Sequence, residues 1–271
     1  MPVGLLHPGE MGAAIGAALR AGGETVVWAS AGRSDATAER AARAGLTDVG
    51  EVRELCRACD VLVSVCPPHA AVDVARLAAG FDGVYVDANA VSPETARVIA
   101  GLHERFVDGG IIGPPPQRPG TTRLYLSGGE AKRIAERFGG TTLDARVLSE
   151  EPGAASALKM SYAGWTKGSS ALLLAARALA QAEGVEDALL EEWRLSLPDL
   201  LDRSAAAARS AVAKGWRWVG EMEEIAASYA AAGLPEGFHQ AAAEIYGRAS
   251  TSAPTMERLL AAIRSSRSSR E

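Results

Sequence analysis

Lys159 is the residue of this 271-residue chain best suited by type and setting to acid–base work. Positions 159, 162, 163, 166, 167 and 170 share one face of an α-helix, so Lys159, Tyr162, Thr166, Lys167 and Ser170 form a polar stripe beside Ala163. Such a stripe faces either water or a cleft. In a cleft, desolvation or the charge of Lys167 disfavours the ammonium form, which makes a lysine a proton donor or acceptor near neutral pH. Tyr162 is the second candidate proton donor. The competing reading is an ordinary surface lysine on an amphipathic helix.

A second stretch suits a phosphate. His7-Pro8-Gly9-Glu10-Met11-Gly12 follows a short apolar run at 3–6 and opens an alanine-rich helical pattern, so it reads as strand, tight turn and helix start. Gly9 lets a backbone approach a phosphate, Gly12 lets the helix lie close to its strand, and the helix start offers N–H groups and a partial positive charge. The full dinucleotide fingerprint is G-x-G-x-x-G, and His7 stands in its first place, which makes the motif weak on its own. At the end of the second strand, Trp28-Ala29-Ser30-Ala31-Gly32-Arg33-Ser34 holds no carboxylate where an NAD site usually has one. Ser30, Arg33 and Ser34 suit a 2′-phosphate instead, so NADP(H) is expected over NAD(H).

The elements that must position these residues alternate. Apolar runs at 3–6, 25–29, 61–65, 84–86 and 106–107 are separated by helical segments, which predicts an α/β Rossmann-like N-terminal domain with a parallel sheet covered on both faces. From 154 the chain turns helical, with stretches at 154–183, 186–195, 199–213, 215–232, 236–248 and 255–265. The expected organisation is a Rossmann-like domain at 1–151, then an all-α C-terminal domain at 152–264 joined by a long interdomain helix. A disordered tail is expected at 265–271.

Composition narrows the partners. The net charge of −5 is spread without a basic stripe, so no nucleic-acid partner is expected. No apolar run is long enough for a bilayer and no leader-like start is present, which predicts a cytoplasmic protein with no membrane partner. Cys56, Cys59 and Cys66 lack a second Cys/His cluster, so they read as thiols and no metal site is expected.

Further segments carry a likeness. Val65-Cys66-Pro67-Pro68 closes a main strand; Asp87-Ala88-Asn89-Ala90-Val91-Ser92-Pro93 is near D-x-S-T-x-x-P; and Asp108-Gly109-Gly110-Ile111-Ile112-Gly113-Pro114 stands at the place of D-A-P-V-S-G-G. Leu124-Tyr125-Leu126-Ser127-Gly128-Gly129 follows, and Gly153-Ala154-Ala155-Ser156-Ala157-Leu158-Lys159-Met160-Ser161-Tyr162-Ala163 is near G-x-G-x-x-x-K-x-x-N-N. With the His7–Gly12 turn, these resemble the β-hydroxyacid dehydrogenase / 6-phosphogluconate dehydrogenase-like superfamily over nearly the whole chain. The resemblance implies cofactor phosphates at His7, Pro8, Gly9, Glu10, Met11 and Gly12, and the nicotinamide half near Cys66, Pro67, Pro68 and Asn89. It implies substrate near Ile112, Gly113, Lys159 and Tyr162, with Lys159 exchanging the proton.

Three departures bear on substrate. Ile112 replaces a serine that anchors a carboxylate in relatives, although Gly113 keeps its N–H, and Arg118 or Arg123 would supply positive charge if not simply solvated. Asn89 replaces a serine; its amide both donates and accepts, which suits orienting a substrate or a carboxamide, while Ser92 and Pro93 read as a helix cap and first turn. Tyr162 and Ala163 replace two asparagines. Later in the chain, Trp216, Trp218 and Met222 suit an apolar pocket wall and Glu221 a substrate amine, against a plain helix–helix core. The leading expectation is an NADPH-dependent reductase or dehydrogenase of a small carbonyl or hydroxy substrate, a homodimer through its α-helical domain. The alternatives are an imine reductase of the same architecture and a non-catalytic NADP(H)-binding protein.

Overall fold

The structure, a computed structural model, describes residues 1–249 and 255–265; positions 266–271 of the expected tail lie outside them. The chain divides into two compact units, Met1–Met160 and Ser161–Glu271.

The first unit runs β1 (Val3–Leu5), α1 (Glu10–Ala21), β2 (Val26–Trp28), α2 (Asp35–Arg43), β3 (Thr47–Asp48), α3 (Val52–Ala58) and β4 (Val61–Ser64). A single 3₁₀ turn at Pro68–Ala70 leads into α4 (Ala71–Leu77), β5 (Val84–Asp87), α5 (Pro93–Ala100), β6 (Phe106–Ile112), β7 (Thr122–Ser127), α6 (Ala131–Arg137) and β8 (Leu143–Ser149). The strands form one sheet in the order β3-β2-β1-β4-β5-β6-β7-β8, parallel except for the β6–β7 pair. Side chains alternate across it as the strand period requires. Val3, Leu5, Val26, Trp28, Val61, Val63, Val84 and Val86 pack with Ile15, Leu19 and Ile134 on one face. Leu6, Val27, Leu62 and Tyr85 pack with Leu55, Val74, Ala96 and Ile99 on the other. Both faces are therefore buried, which is why the strands are continuously apolar. The strand order reverses between β1 and β4, and a doubly wound sheet opens its ligand crevice at such a switch point, beyond the C-terminal strand ends.

The antiparallel β7 and the strands β3 and β8 depart from the expected pattern of apolar parallel strands. β3 has two exposed residues and β8 is half polar, so neither carries the apolar signal of a central strand.

Beyond β8 the described residues hold helices: α7 (Ala154–Ala182), α8 (Glu186–Ser196), α9 (Leu200–Ala231), α10 (Gly237–Ala249) and α11 (Met256–Arg264). α9 corrects the expected pair of helices at 199–213 and 215–232, because it runs unbroken through Gly215. Ser204, Ala207, Ala208, Ala211 and Gly215 are buried at three- and four-residue spacing, so close packing outweighs the roughly 1 kcal/mol that glycine costs inside a helix. α7 opens within the first unit, which ends at Met160.

Candidate active site

The switch point lies between the segments that follow β1 and β4. After β1 the chain turns through His7 and Pro8, and Gly9 N donates to His7 O at 2.8 Å. Gly9 is the N-cap of α1 with no side-chain cap, so the first N–H groups of the helix lack an intrahelical partner and face outward from its start. The two glycines of the turn do different work. A Cβ on Gly12 would lie 2.1 Å from His7 O, so only glycine lets α1 begin there; a Cβ on Gly9 would meet nothing within 4 Å, which leaves room for a ligand.

His7 stands beside this opening with Nδ1 buried and without a partner among the described residues. Burial, and then the charge of Arg33, pull its pKa down to about 4, so the imidazole is neutral at pH 7. Arg33 is half-buried, and burial lowers its pKa; its Nε likewise has no partner among the described residues. Arg40, in the last turn of α2, donates to Pro8 O at 3.3 Å and so ties that end of α2 to the turn. Ser34, the exposed N-cap of α2, pairs its hydroxyl with Thr37 rather than with the helix backbone. Ser30 N donates to Asp48 at 3.2 Å, and Gly50 N donates to the same oxygen at 2.8 Å. Burial raises the Asp48 pKa, but these hydrogen bonds outweigh it and the net shift is downward. A carboxylate does therefore lie at this end of the sheet; it comes from β3, and donors of the neighbouring turns occupy it.

Beyond β4, Cys66 is half-buried between exposed Pro67 and the strand. Burial, then the charge of Asp87, push its thiol up to about 12, so it is not a nucleophile. Asn89 is 3% exposed and its amide is fully committed: Oδ1 accepts from Cys66 N at 2.5 Å, while Nδ2 donates to Ser64 Oγ at 3.1 Å and to Asp87 at 2.9 Å. It locks the segment after β4 to the end of β5, which differs from the expected free amide aimed at a ligand. Ser92 accepts from Thr95 N and Pro93 opens α5, as the cap reading has it.

Within β6, level with the end of β5, lies a group that sequence reasoning passed over. Asp108, 0% exposed, accepts from Ser127 Oγ (3.0 Å), Gly153 N (3.0 Å), Ser156 N (2.9 Å) and Ser156 Oγ (2.6 Å). Ser127 Oγ also accepts from Ala155 N at 3.0 Å. Two glycines after an aspartate inside a strand are the signal that marks it, because glycine in a strand permits close backbone approach. A Cβ on Gly110 would lie 2.6 Å from Ala155 O and 3.2 Å from Lys159 Cβ. Lys159 thus leaves α7 directly over β6 and is half-buried. Ile112 is 5% exposed within β6 and offers no polar group, whereas Gly113 is exposed with φ +127°.

In the second unit, Tyr162 is 48% exposed. Glu221 is buried and paired with Lys167, so it is not the free carboxylate expected for a substrate amine. Trp216 is 65% exposed; Trp218 lines a pocket, carrying the Lys167 ammonium 5.6 Å from its ring centroid. Lys167, Trp218, Tyr246, Ser170 and Arg203 border a pocket of about 420 Å³.

One solved structure, a conserved protein of unknown function described as structurally similar to 3-hydroxyacid dehydrogenases, is 31% identical over 91% of this chain and 99% of its own, with a TM-score of 0.68. The chain belongs to the β-hydroxyacid dehydrogenase superfamily. Other superfamily-like folds include Mycobacterium tuberculosis 3-hydroxyisobutyrate dehydrogenase with L-serine (16% identity, 97% of this chain and 99% of that one, TM-score 0.72). A reductive aminase from Aspergillus terreus in complex with NADPH and ethyl-5-oxohexanoate matches at 20% identity over 92% and 93%, TM-score 0.58. Residues 180–249 match a domain of unknown function, DUF1932. A curated relative, an uncharacterized 28.5 kDa protein in the 7S RNA 5′ region of Methanothermus fervidus, is 34% identical over 165 residues, 59% of this chain; the chain spans 63% of that relative's length.

Proposed function

We propose that this superfamily member is an NADP(H)-dependent oxidoreductase of a small carbonyl or hydroxy substrate, with Lys159 as general acid/base. The observation that carries this reading is the start of α1: a helix N-terminus without a side-chain cap at the sheet's switch point, open above Gly9, with His7 Nδ1 and Arg33 Nε beside it and without partners among the described residues. These residues fit a dinucleotide. The turn at His7, Pro8, Gly9, Glu10, Met11 and Gly12 would hold the pyrophosphate, and Arg33, Ser30 and Ser34 a 2′-phosphate. Cys66, Pro67 and Pro68, fixed by Asn89, would border the nicotinamide half. The likeness to an NADPH-bound fold supports the same cofactor class.

When bound, NADPH supplies a hydride from its nicotinamide ring to the substrate carbon. Lys159 holds the other half of the chemistry: its ammonium gives a proton to the substrate oxygen as the carbonyl π pair moves there, and water recharges the amine. In the oxidative direction the free amine takes that proton back. Tyr162 is the alternate donor. Ile112 presents no hydroxyl to a carboxylate, which favours substrates less dependent on that anchor and keeps imine reduction as the second reading. A homodimer is supported by Trp165, Leu172 and Leu179, which are 69%, 54% and 65% exposed at seven-residue intervals along α7.

Steady-state oxidation of NADPH and NADH with keto acids, aldehydes and cyclic imines tests the reading. Turnover is expected with NADPH, with a kcat at least 100-fold lower in Lys159→Met, and a dimer mass by light scattering. Turnover of imines alone would move the assignment to the second reading, and tight NADPH binding without turnover would make the protein a cofactor-binding one.

A further inference from the structure

We infer that Asp108, with Ser127 and Ser156, is the positioning device for the Lys159 amine. The inference rests on the acid/base reading of Lys159 and adds what holds that group in place. Asp108 is buried within β6, level with the last residue of β5, and three of its four hydrogen bonds come from Gly153 and the first turn of α7: Gly153 N, Ser156 N and Ser156 Oγ. The fourth, from Ser127 at the end of β7, brings in a hydroxyl that accepts from Ala155 N. The start of a 29-residue helix is thereby fastened to β6 and to the end of β7 by a carboxylate placed where the helix dipole favours negative charge.

Lys159 follows Ser156 by three residues, on the same face one turn on. At that turn α7 lies against Gly110, two residues beyond Asp108 on β6 and pointing to the same side of the strand. The clamp fixes helix rotation and height at one point, and the contact at Gly110 fixes them at the next. A lysine stem has four rotatable bonds, so its amine is placed only as well as its Cα and Cβ are. Displacement by about 1 Å from a reacting atom is enough to cost on the order of 100-fold in rate.

The test is a double-variant cycle on the full chain, Asp108→Asn and Lys159→Met, read by kcat, KM and NADPH Kd. Asp108→Asn is expected to lower kcat 10- to 100-fold with NADPH Kd changed less than threefold, and to add nothing in the Lys159→Met background. Equal losses in both backgrounds would overturn the inference. Ser156→Ala removes the 2.6 Å hydroxyl bond but keeps Ser156 N–H, so it is expected to act in the same direction, more weakly, and serves if Asp108→Asn fails to fold. A readout free of turnover separates the two readings. In the ¹³C-dimethylated protein, the Lys159 resonance is expected to broaden and to change its titration midpoint in the Asp108→Asn or Ser156→Ala variant while that of Lys167 stays. Full activity of Lys159→Met alongside such a change would sink the acid/base role and leave the clamp standing; an unchanged Lys159 titration would sink the clamp.

Discussion

Two helices of the first unit begin at C-terminal strand ends, and they treat the same physical problem in opposite ways. Every helix start carries N–H groups without an intrahelical acceptor. At α7 the protein fills that need itself, with the Asp108 carboxylate and the Ser127 hydroxyl buried against Gly153, Ala155 and Ser156. At α1 the N-cap is a glycine with no side-chain cap, space lies above it, and the nearest titratable ring is a neutral imidazole. A filled start is a fixed point for whatever the helix carries; an open one is a seat for an anion from outside. The glycines that accompany each follow suit, since Gly12 and Gly110 are demanded by backbone or side-chain atoms already present, and Gly9 by nothing in the protein.

That contrast breaks most sharply at the two glycines of the first turn. Gly12→Ala places a methyl 2.1 Å from His7 O, and the backbone must shift to admit it. We expect a stability loss of about 3 kcal/mol, at the upper end for overpacking, seen as a fall of roughly 6–12 °C in Tm. Gly9→Ala meets no protein atom, so its stability change is expected to stay within about 0.5 kcal/mol, as at sites free of special contacts. Its NADPH Kd, by calorimetry, is expected to rise about tenfold, or 1.4 kcal/mol, because the methyl occupies the space left for a phosphate. An unchanged Kd would mean that the opening at α1 is not the seat.

The sequence is legible where the signal is local. Strands buried on both faces read as apolar runs, and the turn at Gly9 and Gly12 reads from residue type alone, as does Lys159 on its helix. What escaped depends on partners far along the chain. The amide of Asn89 looks available within its own segment, yet its acceptor and donors are engaged by Cys66 and Ser64, 23 and 25 positions away. Glu221 is likewise committed to Lys167 on another helix. Trp216 and Trp218 differ by about 200° around α9, so one faces in when the other faces out, and composition does not choose between them. The Asp108 clamp was hidden for the same reason: the aspartate was visible, and its partners Gly153 and Ser156 at the start of α7 were 45 and 48 positions ahead.

The smallest expected effect sharpens the comparison through charge. His7 is neutral in the folded chain down to about pH 4, while in the unfolded chain it takes up a proton near pH 6.5. Between those values the unfolded state binds more protons, so stability falls as pH drops from 6.5 toward 4. Burial also lowers the pKa of His103 and His239, which act in the same direction, so His7 is isolated only by difference. In urea unfolding, His7→Gln is expected to lose roughly 1–2 kcal/mol less than the parent chain between pH 7 and 4.5, below the full value of the shift because the ring is partly open to water. Parallel losses in the two proteins would mean that the imidazole at the open helix start is solvated, and that the start of α1 differs from that of α7 in geometry but not in how it excludes charge.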